Sequence, residues 1–251
     1  MKILSLLTKF EVGISFIPFI LIILYGGYYK LFFTYFLITF IHELGHVFMA
    51  MIFKIETKSI KLSMFGFSAC IEDYKYISFY KQLLILLAGP LTFFISNLLI
   101  KNLYLYDVIS LVTYHKALLT NKYIFIFNLL PIFPLDGGRI IKLFLDRIFT
   151  FKVSKKITIY VSFIFTLAFM MYSSANKQYL MYIFLLVNFI LNILFLKKEW
   201  RAFLYERYFF NNKYNEKLHS KKDLYMHKNN YLIYKHNILN EKESIIKLLR
   251  N

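Results

Sequence analysis

The stretch "FLITFIHELGHVFMAMIF", residues 36–53, reads as a membrane-spanning helix with three ionisable groups at its centre: His42, Glu43 and His46. A charge at the bilayer centre costs at least about 2.5–3.5 kcal/mol on insertion scales, so three such groups within two turns need strong compensation. The pattern H-E-x-x-H supplies it. Residues at i and i+4 lie one above the other on a helix face, so His42 and His46 can aim imidazole nitrogens at one zinc ion. Glu43 projects beside the same edge, where a carboxylate can take a proton from water at the metal. The structural alternative is a histidine pair hydrogen-bonded inside a bundle with a salt-bridged glutamate. The burial of three ionisable groups argues against it.

The composition agrees with a membrane setting. The 251 residues are 59% hydrophobic and 20% aromatic, with only 18% charged, against about a quarter in soluble domains. The lone cysteine, Cys70, excludes a disulfide framework and a cysteine-rich zinc site. A net charge of +17 would suggest nucleic acid in a soluble protein. Here Lys and Arg cluster between some apolar runs and avoid others, which points to topology, and no nucleic-acid partner is expected. No small-residue cleavage site follows the short apolar N-terminus, so no cleavable signal is expected.

Spans need about 20 apolar residues. Candidates fall near 12–29, 31–53, 82–100, 111–135, 157–174 and 179–196. The expected fold class is therefore an all-α polytopic membrane protein of about six transmembrane helices. The domain division is 1–196 for the membrane body and 197–251 for a linker helix and small C-terminal tail. Basic residues gather in the loop 54–81, in the connection from Arg139 to Lys156, and at Lys197, Lys198 and Arg201, which places both termini on the cytosolic side. Between spans, "SIKLSMFGFSACIE" alternates around Gly66 and predicts a short membrane-associated strand or hairpin. In the tail, "LYMHKNNYLIYK" and "SIIKLLRN" predict one strand and one short helix.

A catalytic zinc typically keeps three protein ligands and an open position. Asp136 in "NLLPIFPLDGGRI" is the candidate third ligand, placed at the inner end of the fourth span. The same residues make an ordinary turn, and their types alone leave ligand and turn open. Asn128, eight residues earlier in that helical stretch, offers an amide to a substrate carbonyl or oxyanion; an interhelical hydrogen bond is the plainer role. "AGP" at 88–90 reads as close helix packing. A zinc transporter would spread metal-binding residues through the membrane depth, whereas here one cluster sits beside a base.

These segments together carry a family resemblance. "LITFIHELGHVFMA", "AGP" in the next span, "FNLLPIFPLDGGRI" in the fourth and the post-membrane "ERYFFNNKYNEKL" resemble the site-2 protease family of intramembrane zinc metalloproteases, and within it the bacterial stage IV sporulation protein FB group. The resemblance covers roughly residues 10–217. It implies a zinc endopeptidase with one Zn2+ per chain, held by His42, His46 and Asp136, with Glu43 as general base and Asn128 at the substrate. It further implies a protein substrate, the pro-sequence of a sporulation sigma factor; a membrane anti-sigma factor is the alternative client, and a catalytically inactive client-binding homologue the alternative function. Inhibitory membrane partners and a location in the mother-cell membrane around the forespore also follow from it. The tail is short for the cystathionine-beta-synthase-type domain of that group, which suggests a reduced substrate-docking element.

Overall fold

The computed structural model describes residues 10–12, 25, 29–55, 57–63, 66–71, 77–174, 190, 196–209, 217–220, 224–226, 229–234 and 237–250. The first and sixth candidate spans lie largely outside the described residues. The chain divides into two compact units, Met1–Leu129 and Leu130–Asn251.

The first unit contains β1 (Phe10–Val12), α1 (Tyr29–Ile52), β2 (Thr57–Ser63), β3 (Gly66–Ile71), α2 (Phe79–Leu105) and α3 (Leu111–Leu129). The three helices pack on one another, and β3 packs against α1. Their polarity is inverted relative to a soluble bundle. Thr39, His42, His46, Gln82, Thr92, Ser96 and Asn121 are buried, while Leu91, Phe94, Ile95, Leu98 and Leu99 of α2 face outward. Hydrocarbon removes the drive to hide leucine and makes inward hydroxyls and amides useful as interhelical contacts. Asn121 shows this: its Nδ2 donates to Phe93 O at 3.0 Å and to Asn97 Oδ1 at 2.9 Å, across from α3 to α2. Among the described residues, two helices are long and apolar enough to cross a membrane, Phe32–Ile52 and Phe79–Leu105.

The segment after α1 forms the expected hairpin. β2 pairs antiparallel with β3, closing at Ser63 and Gly66. β1 pairs parallel with the other side of β2, giving the order β1-β2-β3. The exit from α1 is a Schellman turn. Lys54 takes a left-handed φ of 59°, its N–H donates to Met51 O at 2.9 Å, and the Ile55 N–H reaches Ala50 O at 2.9 Å. Asp107 (φ 57°) closes α2 in the same way, with Val108 N–H donating to Leu103 O.

The second unit contains α4 (Asp136–Ile148), α5 (Phe151–Ser174), α6 (Leu196–Phe209), β4 (Lys217–Ser220), β5 (Asn229–Tyr234), β6 (Asn237–Leu239) and α7 (Glu241–Arg250). Here the structure corrects the reading of the fourth span. The helix stops at Leu129, and Asp136 opens a separate helix instead of closing that span. Pro131 and Pro134 remove two backbone donors and bias the residues before them to extended conformations, so one helix cannot run through both.

Among the described residues the chain is mostly helical, with the hairpin sheet joined by a second three-stranded sheet. The tail contains the second, in which β4 runs parallel and β6 antiparallel to β5. α7 packs on β5 and α6. It starts with a reciprocal capping box, Glu243 N–H to Asn240 Oδ1 (2.9 Å) and Asn240 N–H to Glu243 Oε2 (3.1 Å). The core of this part joins Phe203, Leu204, Leu224, Met226 and Ile245 to Phe151, the first residue of α5. The Phe151 ring stacks on Phe203 at 4.4 Å, and its N–H donates to Leu224 O at 2.8 Å.

A lysine in the left-handed region carries a Cβ penalty of about 1–2 kcal/mol that glycine avoids. Lys54→Gly is therefore expected to stabilise the purified full chain by up to about 1 kcal/mol, read from denaturant titration in detergent.

Candidate metal centre

His42, Glu43 and His46 lie in the second half of α1, and α2 crosses them at Ile85–Thr92. His46 Nδ1 lies 2.7 Å from Ile85 O. A carbonyl only accepts, so Nδ1 carries the proton and Nε2 keeps its lone pair. This is the tautomer of a metal ligand whose ring is oriented by a backbone carbonyl. Pro90 sits inside α2 and lacks the N–H that would bond Leu86 O, so the helix's own ladder is opened beside Ile85.

His46 Nε2 stands 3.3 Å from His42 Nε2, with the rings edge to face at 85°. Two nitrogens each about 2.0–2.1 Å from one ion at a tetrahedral angle stand about 3.3 Å apart. The pair thus fits zinc as placed. Both rings are buried, at 6% and 5% exposure.

Glycine makes this approach possible. A Cβ on Gly89 would overlap His46 Nε2 and Cε1 and lie 2.9 Å from His42 Nε2. One turn along, a Cβ on Gly45 would stand 2.5 Å from Thr92 Cγ2 and 2.6 Å from Ala88 O. "AGP" does pack helices closely, as its sequence suggests. Sequence reasoning missed that Gly89 also forms the wall behind the imidazoles. A glycine in an apolar span is a signal for close approach, but nothing in the sequence says what approaches.

Asp136 occupies the first turn of α4, where the helix dipole favours a carboxylate. It is 5% exposed, and Gly137 and Gly138 beside it are buried. A Cβ on Gly138 would overlap the main chain of Ile132 and Phe133 and lie 2.6 Å from Ile132 O. The loop before α4 is thus folded onto its first turn.

His42, His46 and Asp136 are each buried, and each offers one atom able to ligate a metal ion. Two neutral nitrogens and one carboxylate are the donor set of a catalytic zinc with an open fourth position. Glu43 is half-buried one residue from His42. Asn128 is not part of the group. It is half-buried in the last turn of α3, and its Nδ2 donates to Ile124 O at 3.0 Å in its own helix.

Comparison with known proteins bears on this geometry. Peptidase family M50 matches residues 103–173, which include Asp136. Stage IV sporulation protein FB of Bacillus subtilis is 29% identical over 233 residues, covering 86% of this chain and 77% of that protein. A zinc metalloprotease of Methanocaldococcus jannaschii is 32% identical over 130 residues, covering 51% of this chain and 38% of that protein. The solved structure of a site-2 protease from the same archaeon superposes with a TM-score of 0.55 at 25% identity, covering 72% of this chain and 87% of that one.

Gly89→Ala is expected to abolish stoichiometric zinc binding, measured by metal analysis of the purified chain, while helix content by circular dichroism is retained. One zinc per chain in that variant would refute the close-approach account.

Proposed function

We propose that the chain is a zinc metalloprotease of the site-2 type that cuts within the membrane, with His42, His46 and Asp136 as zinc ligands and Glu43 as general base. The observation that carries this reading is the convergence of the two Nε2 atoms, 3.3 Å apart, against Gly89. Zinc held there would supply Lewis acidity toward the scissile carbonyl and would lower the pKa of water toward neutrality. Glu43 takes the proton of the attacking water and delivers it to the leaving amine.

The substrate must be locally extended, since a helix hides its carbonyls. β2 is paired on both sides, while β3 pairs with β2 alone among the described residues, so β3 is the edge at which a substrate strand adds. Asn128 binds the substrate backbone by exchanging Ile124 O for a substrate carbonyl. The client is the pro-sequence of a sporulation sigma factor at the cytosolic membrane face. The similarity to stage IV sporulation protein FB over 86% of this chain supports that choice. The basic connections support a multi-pass arrangement of about six spans with cytosolic termini. The protease body is residues 1–196, and 197–251 docks the client. Location in the mother-cell membrane and control by inhibitory membrane proteins belong to the same reading.

Co-expression of the full chain with the host's own pro-sigma factor tests the mechanism. Glu43→Gln is expected to slow processing by about 100-fold or more while keeping zinc. Processing at the wild-type rate would remove Glu43 from the mechanism. Wild-type protein that leaves the pro-sigma factor intact and cuts a membrane anti-sigma factor would change the client. Asp136→Asn is expected to lower bound zinc per chain; full retention would remove Asp136 from the ligand set.

A further inference from the structure

One buried face of α5 carries Ser154, Lys155, Thr158, Ser162 and Thr166, all 4% exposed or less. Three of the hydroxyls bond back to the preceding turn: Thr158 to Ser154 O, Ser162 to Thr158 O and Thr166 to Ser162 O. Ser162 does more. While donating to Thr158 O at 2.7 Å, its Oγ accepts the Phe133 N–H at 2.9 Å. Two turns earlier on the helix, the buried Lys155 sets its Nζ 4.3 Å from the centre of the Phe133 ring. Phe133 is therefore gripped at its main chain and at its ring from one helix.

Phe133 lies three residues before Asp136, between Pro131 and Pro134, neither of which can donate a backbone hydrogen bond. The Ile132–Phe133 main chain is also the surface on which Gly138 rests. Fixing Phe133 thus fixes the entry to α4, and the first residue of α4 is Asp136.

We propose that Ser162 and Lys155 are positioning residues for Asp136, acting through Phe133 to hold its carboxylate where it completes the metal site. This rests on the reading of Asp136 as a zinc ligand. Groups that orient a ligand are worth about 10–100-fold in metal affinity.

The test is zinc affinity of the detergent-purified full chain by competition with a chelator, together with the visible spectrum of the cobalt(II)-loaded protein, which reports ligand geometry. Ser162→Ala is expected to lose about 10-fold or more in zinc affinity, with altered cobalt bands. Ser162→Thr, which keeps the hydroxyl in a ladder that already holds threonines, is expected to restore both. Unchanged affinity and spectrum in Ser162→Ala would overturn the proposal, as would a deficit that Ser162→Thr fails to reverse. Should Ser162→Ala not fold, Ser162→Cys, of similar size but a weak acceptor, is read with the same outcomes. Asp136→Asn is the control. If it binds zinc like wild type, the ligand reading itself has failed. If it loses zinc while Ser162→Ala does not, only the positioning role has.

Discussion

The approach of α1 to α2 is the contact on which the metal centre depends. Helices in hydrocarbon gain little from burying leucine against leucine, so their association rests on close van der Waals contact and inward polar groups. Gly45 and Gly89 allow that approach, and Thr92 fills the space between. The consequence is chemical as well as mechanical. Only with α2 this near can Ile85 O accept the His46 Nδ1 proton and leave Nε2 for the metal. The seam that joins the helices also sets the tautomer of His46.

The second unit meets a different constraint. A loop with two prolines must enter a helix whose first residue is a buried carboxylate. Buried backbone donors must find partners. Leu135 N–H turns back to Ile132 O at 2.8 Å, and Phe133 N–H goes to Ser162. Farther along α4, Asp146 accepts from Ser154 Oγ and pairs with Lys142, so both ends of that helix are tied to α5.

The features that sequence made legible are those with a strong local signature. H-E-x-x-H needs only the 3.6-residue period to place two imidazoles on one face, and apolar length alone marks α1 and α2 as long enough to cross a membrane. The hairpin around Gly66 was legible by alternation. The break between Leu129 and Asp136 was hidden because an apolar run with two prolines resembles a span with a polar end. The tail sheet was hidden because β4 and β6, of four and three residues, are too short for periodicity to mark. Ser162 was invisible for another reason. Its partner is 29 residues away, and a serine in an apolar helix bears no mark of what it holds.

Phe151 opens α5 and also sits in the core of the C-terminal part, with its N–H bound to Leu224 O. A residue shared in this way answers to two sets of neighbours. Drift in the tail that reshapes the pocket around Phe151 is felt at the start of α5, the helix that also carries Ser162. The tail and α5 must therefore change in concert over evolutionary time. Grafting the tail of one homologue onto the body of another requires the residue at this junction to travel with it.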